Sequence, residues 1–268
     1  MRVNNVPLKS KLLFFVTFMH KMRISVLITV KNDLKNMEAL IHSLETLDDD
    51  FEIVVVDAFS TDGTYEFLKT KNENGKIIVA RKRGNRSVGR NECIRLSAGA
   101  NLVFLDSDTE ISETWGHGIK KDLGHKIVAG RIIQKSSSAW SELGRVPIIY
   151  EGKDVTYPSN NLMYSREVIE RIGMFDERFN TAEDVDLNIR AIKSGYEIFY
   201  DNDLVVYHHP RESYHSLLTQ SYYDGAGRRL IKRKHGVKST FNRENLRKHP
   251  AIESSRLIIG MLGYLFGG

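Results

Sequence analysis

Asn101-Leu-Val-Phe-Leu-Asp-Ser-Asp-Thr109 is the stretch on which the reading of this chain turns. Leu102 to Leu105 form an apolar run that suits a strand buried on both faces. The run ends on two acids one residue apart, Asp106 and Asp108. Alternate residues of extended chain point the same way, so both carboxylates can face one site. Convergent carboxylates favour a cation, and hard divalent ions that prefer oxygen ligands commonly carry a ligand's phosphates with them. Taken alone, the pair reads more simply as turn formers or a helix cap.

The chain alternates strand and helix from Ile24 to Asp108. Ile24–Val30 and Phe51–Val56 are near-continuous apolar runs, and Lys76–Ala80 is a shorter one. Leu34–Leu47 has helical spacing through Leu34, Met37, Leu40, Ile41 and Leu44. Ser60-Thr-Asp-Gly63 supplies turn and cap residues for a helix ending near Thr70, and Ser87–Ala98 reads as another helix. Such alternation with short loops predicts an α/β, parallel, doubly wound sheet whose ligands bind at the carboxyl ends of its strands. Asp57 and Asp106–Asp108 lie at those ends. Beyond them the pattern is mixed. Strands are expected at Lys126–Ile133, Leu162–Tyr164, Glu197–Tyr200 and Leu204–Tyr207, and helices at Arg166–Ile172, Asp184–Ser194 and Leu217–Lys234. No internal repeat or low-complexity tract interrupts them.

The 268 residues can bury a full core, and 41% hydrophobic with 27% charged residues is ordinary for a globular protein. A single cysteine, Cys93, excludes an intramolecular disulfide and a cysteine-based zinc site, and it reads as a small core residue. The net charge of +5 is uneven. Arg211 to Pro250 holds ten basic residues against three acids, a local +7 that leaves the remainder at −2. Such an arm suits anionic headgroups or nucleic acid, or is a solvated helix face. Leu12–Met19 is an apolar run that as a helix would cover only about 12 Å of roughly 30 Å of hydrocarbon. It suggests an extension before the folded domain, or a true start at Met22. The apolar Leu257–Gly268 reads as an interfacial helix or a stub of a membrane segment.

The motifs fall in a set order: Ser25-Val-Leu-Ile-Thr-Val-Lys-Asn-Asp33, Val54-Val-Val-Asp-Ala-Phe-Ser-Thr-Asp-Gly-Thr64, Gly89-Arg-Asn91, Leu105-Asp-Ser-Asp108, Glu183-Asp-Val-Asp-Leu187 and His208. From about Arg23 to about Gly227 this resembles the family 2 glycosyltransferases, whose catalytic domain has the GT-A fold. The resemblance implies inverting transfer of a sugar, of the hexosyl type, from a UDP- or GDP-linked donor, assisted by Mn²⁺ or Mg²⁺. It divides the chain into an extension (1–22), a catalytic domain (23–210) and a basic helical arm (211–268).

By the same resemblance, Thr29, Val30, Asp33, Asp57, Arg90 and Asp106 hold the nucleotide. Carboxylates accept from ring N–H and hydroxyl groups, and a guanidinium suits a diphosphate. Helix capping by the acids is the plainer alternative. The family's usual proline and aromatic are Thr29 and Lys31 here, which loosens any inference about the base. Asn91 accompanies Arg90, while Arg83 and Arg86 lie nearby as diphosphate contacts or surface ion pairs. Asp108, Asp106 and His208 would serve the metal, or His208 is a buried structural residue. His209 points the other way if the segment is extended. Asp184 would be the general base and Glu183 its support or an acceptor contact, although acids opening a helix are ordinary first-turn residues. Asn160 and Asn161 would line the donor and acceptor pocket. Asp186 and Arg190 read as an i,i+4 structural pair. Trp115 and Trp140 stack on sugars or, more simply, pack in the core. Tyr222, Tyr223, Gly225 and Gly227 match a helix that follows the domain in many relatives, with no catalytic role.

The expectation is therefore a cytoplasmic enzyme, peripheral on an anionic membrane face, acting on a lipid-linked or polymeric glycan, with nucleic acid not expected as a partner. The competing reading is a non-catalytic membrane- or nucleic-acid-binding protein that uses the basic arm. A nucleotidyltransferase would need a glycine-rich loop where Val30-Lys-Asn-Asp-Leu34 stands. A glycosidase needs acids flanking a bond from two sides, which the neighbours Glu183 and Asp184 are not.

Overall fold

β1 (Ile24–Val30), β2 (Phe51–Asp57), β3 (Ile77–Arg81) and β4 (Asn101–Asp106) pair in parallel in the order β3-β2-β1-β4. Register runs from Ile24 opposite both Phe51 and Asn101 to Thr29 opposite Val56 and Asp106. In this computed structural model, residues 24–72, 77–136, 143, 146–210, 213–237 and 242–267 are described. Lys76, Trp140, the run Leu12–Met19 and the start at Met22 lie outside them, as do Arg211 and Lys238 of the arm.

Helices cover both faces of the sheet. Val26, Ile28 and Val30 face α1 (Leu34–Leu44), α2 (Thr64–Lys71) and α4 (Trp115–Lys121), while Leu27 faces α3 (Arg86–Leu96), α5 (Arg166–Ile172) and α6 (Glu183–Lys193). Each fully buried Leu, Ile or Val contributes about 1.5–3 kcal/mol relative to exposure, so the two-sided apolar runs dominate the fold. Gly63 takes the left-handed φ of 93° that turns the chain into α2, and Asn85 caps α3 by accepting from Val88 N at 3.0 Å.

The sheet continues through β9 (Leu162–Ser165), β6 (Ile127–Gln134), β10 (Phe199–His208) and β5 (Thr109–Ile111). β9 is antiparallel to both β4 and β6, which makes the sheet mixed. A separate hairpin pairs β7 (Ile149–Tyr150) with β8 (Lys153–Asp154). The two strands expected between Glu197 and Tyr207 are one, β10, whose register against β6 shifts between Asp201 and Val205. The polar Asp201-Asn-Asp203 breaks the apolar pattern there without ending the strand. α1 stops at Leu44 rather than Leu47, because Leu47 N–H already turns back to Leu44 O. β5 and α4 are too short to announce themselves by periodicity.

α7 (Tyr214–His235), α8 (Arg243–Lys248) and α9 (Pro250–Phe266) complete the chain. Ser213 caps α7, and Gly236 ends it with a φ of 73°. α7 lies against α6 and its approach, and α9 lies along α7.

Candidate active site

The loops after β1 and β2 are laced together at the carboxyl edge of the sheet. Asn32 N–H donates to Ser60 Oγ at 2.8 Å, Thr61 N–H to Asn32 Oδ1 at 2.8 Å, and Leu34 N–H to Asp62 Oδ2 at 3.1 Å. Asp33 stands at the start of α1 but does not cap it with its side chain. Its carboxylate accepts from Asn36 and, at 2.8 Å, from Ser107 Oγ, the residue between the two acids of β4's end. Asp33 and the Asp106–Asp108 corner are thus neighbours.

Asp57 differs from the expectation of a nucleotide contact. Its carboxylate is fully buried, accepting from Ser60 N–H at 3.1 and 3.2 Å and from Arg81 Nε at 3.1 Å. A buried charge needs such partners, and they leave it no face toward ligand. Val30 is likewise committed, with its side chain in the core and its carbonyl accepting from Ala58 N–H at 2.8 Å. Thr29 is half-buried under α3, where a Cβ on Gly89 would come within 2.8 Å of Thr29 Cγ2.

Arg90 also turns inward. It is 2% exposed, donates from Nη2 to Asp106 Oδ1 at 2.7 Å, and bonds Glu183 Oε1 through Nη1. Burial opposes its charge, but Asp106 and Glu183 outweigh that and hold it firmly protonated. Arg90 is therefore a bridge between the end of β4 and the start of α6, with no donor directed to a diphosphate by its ion pairs. Asn91 is structural, exchanging hydrogen bonds with Phe175 N and O at 2.9 Å. Arg86 is exposed at the first turn of α3, and Arg83 stacks on Phe59 at 4.4 Å from the ring centroid.

α6 begins after Ala182, which holds a left-handed φ of 60°. Ala182 sits against α7, where a Cβ on Gly227 would meet Thr181 Oγ1 at 2.6 Å and Thr181 O at 2.9 Å. Thr181 Oγ1 donates to Tyr223 O of α7 at 2.8 Å. One turn on, Asp186 is fully buried and gathers Arg190 Nε at 2.9 Å with Lys234 Nζ and His235 Nε2 of α7, each at 2.7 Å. The i,i+4 pair is thus the core of a four-residue cluster. Periodicity could not announce its α7 members.

This clamp aims Glu183 and Asp184. The Asp184 carboxylate accepts from Val185 N–H at 2.7 Å and Ser159 N–H at 3.3 Å. Burial first, then the adjacent Glu183 charge, pushes its carboxyl up to about 7 against the opposing pull of Arg90. Asp184 is thus poised to take or give a proton near neutral pH. Beside it, Ser159 Oγ and Asn160 Oδ1 are buried without a hydrogen-bond partner among the described residues. Buried polar atoms are almost always satisfied, so such orphans mark where ligand or water belongs. The sequence signals Ser159 only through the turn-forming Pro158-Ser159. Asn161 leaves the pocket. It is 1% exposed, accepts from Trp115 Nε1 at 3.0 Å, and donates to Leu204 O at 2.8 Å and Arg131 O at 3.1 Å. Both asparagines lie in the turn that leads into β9, where Asn161 and its partner Trp115 go into the core.

Asp108 meets His208 because β5 turns back to pair with β10, setting His208 opposite Thr109, while His209 N–H donates to Asp108 O at 2.8 Å. His208 Nε2 lies 3.3 Å from Asp108 Oδ1, and its Nδ1 is 2.8 Å from Gln134 Oε1. His209 Nε2 goes instead to Glu110, at 2.8 Å. Burial lowers the His208 pKa, but the Asp108 carboxylate outweighs it and raises the balance above the ordinary value. Asp108 Oδ1 is a third buried oxygen without a hydrogen-bond partner. An unsatisfied carboxylate oxygen 3.3 Å from an imidazole nitrogen fits two ligands of one Mn²⁺ or Mg²⁺ ion. Asp106 does not complete a triad, since its Oδ1 is held by Arg90, and no group of three His, Cys, Asp or Glu is gathered for a metal among the described residues. Such an ion would draw its remaining ligands from water and phosphate, as Mg²⁺ commonly does.

Residues 25–140 match Glycosyl transferase family 2. That stretch, the N-terminal part of the described sheet and its helices, is what the chain shares with the family. Glycosyltransferase AglE of Haloferax volcanii is 26% identical over 220 residues, covering 76% of this chain and 72% of that one. A Methanococcus voltae enzyme is 26% identical over 245 residues, covering 79% of this chain and 74% of that one. It is named a dolichyl N-acetyl-α-D-glucosaminyl phosphate 3-β-D-2,3-diacetamido-2,3-dideoxy-β-D-glucuronosyltransferase. Among solved structures, mannosyltransferase PcManGT from Pyrobaculum calidifontis, in complex with GDP-Man and Mn²⁺, superposes with a TM-score of 0.63 at 17% identity. That match covers 91% of this chain and 74% of PcManGT. The mixed eight-stranded sheet is a GT-A fold, and the chain is a glycosyltransferase.

Proposed function

We propose that this glycosyltransferase inverts configuration, with Asp184 as general base and a nucleoside diphosphate as leaving group. The observation that carries the reading is the Asp184 carboxyl, raised to about 7 and set beside the unpartnered Ser159 Oγ and Asn160 Oδ1. Asp184 takes the proton of the acceptor hydroxyl as that oxygen attacks the anomeric carbon. The bond from that carbon to the diphosphate oxygen breaks on the opposite face. Proton transfer of this kind supplies about 10²–10⁴-fold. Asp108 and His208 would hold a divalent ion, and a bound Mn²⁺ or Mg²⁺ stabilises charge on the leaving diphosphate. Asp33 and Ser107 line the nucleotide side, and exposed Arg86 is the guanidinium nearest in kind to a diphosphate contact. Glu183 orients Arg90, and through it the corner bearing Asp106.

The donor is a UDP- or GDP-linked sugar, in keeping with the GDP-Man held in the PcManGT complex. The acceptor is a lipid-linked or polymeric glycan, in keeping with the dolichyl phosphate named for the Methanococcus voltae relative. The catalytic unit is read as residues 23–210, with the basic arm packed on it and turned to a membrane surface. Calorimetric titration of UDP and GDP, each with and without Mn²⁺, tests the reading. Mn²⁺-dependent binding of one of them is expected, and no binding of either overturns it.

A further inference from the structure

We propose that the outer face of α9 docks the protein on an anionic lipid bilayer, with the helix lying in the headgroup plane. Leu257, Ile258, Met261, Leu262, Leu265 and Phe266 repeat along one side of the helix, and all are exposed, Phe266 by 72%. A contiguous apolar stripe of this kind marks an interaction surface rather than ordinary scatter.

The opposite side of α9 explains why the stripe stays outside. There the helix meets α7 backbone to backbone. A Cβ on Gly225 would fall 1.9 Å from Gly260 O, and one on Gly263 would fall 1.8 Å from Tyr222 O. Contact this close leaves α9 no freedom to roll its large side chains inward. In the first half of α9 the buried Glu253 pairs with Arg256 at 2.9 Å, and the charge of Arg256 acts on Asp224 of α7.

Charge selects the partner. Arg229 Nη1 reaches Leu265 O at 3.0 Å and Gly267 O at 3.2 Å, and Lys232 Nζ lies 5.7 Å from the Tyr264 ring centroid, so both cations flank the stripe. Lys232, Arg233, Arg243, Arg247 and Lys248 are exposed, and among the described residues of the arm Glu244 is the single exposed acid. An apolar stripe rimmed by Lys and Arg is the pattern of an interfacial helix on anionic headgroups. A second copy would instead bring two basic rims together. No described helix is long and apolar enough to cross a membrane, and the 17 residues of α9 cover about 25 Å.

The arm's basic residues are not all available for this role, since Lys234 and His235 are consumed by Asp186. Docking therefore rests on the apolar stripe, with charge as the selector. Because α7 also packs on Thr181 and Ala182, a docked α9 holds the Asp184 cleft at a set orientation to the bilayer. The benefit to a lipid-linked acceptor rests on the proposed function; the docking does not.

The test is flotation of the full chain with phosphatidylcholine vesicles, with and without phosphatidylglycerol. Wild type is expected to float with the anionic vesicles, and Ile258→Glu/Met261→Glu/Leu265→Glu to lose at least about tenfold in partitioning. UDP or GDP binding by the variant shows that it is folded, and Phe266→Trp should show blue-shifted emission on vesicle addition. Equal flotation of the triple variant overturns the proposal. So does a stripe-dependent dimer in sedimentation that ignores vesicles, or vesicle binding lost only when residues 1–22 are removed. Flotation without nucleotide binding by wild type would break the proposed function and leave the docking intact.

Discussion

Between β1 and β4, acids stand where strands run out; around β9, α6 and β10, the site is made by contacts reaching across the chain. In the first region Asp33 and Asp108 turn toward the cleft, yet Asp57, at an equivalent strand end, is swallowed by Ser60 and Arg81. In the second, Asp184 owes its place to Ser159 N–H, to Glu183 bound by Arg90, and to Gly227 behind Ala182. Strand periodicity determines where a side chain starts; packing determines whether it ends at a ligand or at a partner. Arg90, bonded to Asp106 and to Glu183 at 93 positions' remove, ties the regions together.

The largest effect should come from the second region's own chemistry. Asp184→Asn is expected to lower turnover by about 10²–10⁴-fold with donor binding retained, in steady-state kinetics beside calorimetry. Near-normal turnover would remove Asp184 as the base.

Cutting the tie comes next. Arg90→Met strands the buried Glu183 carboxylate and frees the half-buried Asp106, so urea unfolding should report a loss of about 3–5 kcal/mol. It should also move the pH profile of the surviving activity upward, since Arg90 pulls the Asp184 pKa down. A stable variant with an unmoved profile would mean that the two regions are independent.

The pH dependence sharpens the contrast. The Asp184 pKa is raised from 3.8 to about 7, so the folded chain keeps a proton there that the unfolded chain has released. Its contribution to stability therefore falls as pH rises through that window. Turnover should rise over the same range as the base ionises. Asp184→Asn should then unfold at higher urea than wild type above neutral pH, an advantage that vanishes in acid.

Gly227→Ala tests the clamp alone. Its new methyl would press on Thr181, costing about 1–3 kcal/mol, and should depress kcat more than donor affinity. The smallest effect belongs to the first region. Phe59 holds a left-handed φ of 61° while stacked under Arg81 and Arg83 at 4.5 and 4.4 Å. Phe59→Gly relieves the backbone and loses the stacking, so the melting curve should shift by less than about 1 kcal/mol either way.

The alternation of strand and helix and the carboxyl-edge position of the acids were legible in the sequence alone, because periodicity and spacing are local. The ordered motifs carried the resemblance to family 2 glycosyltransferases. It also carried Cys93 as a core residue, now seen with its thiol pushed up to about 12 by burial. Only the tertiary structure decided that Asp57, Arg90 and Asn161 turn inward, that Asp108 meets His208, and that Lys234 and His235 lock α6. Each of those outcomes depends on a partner supplied by a distant segment, and a buried charge or amide goes wherever its hydrogen bonds can be satisfied.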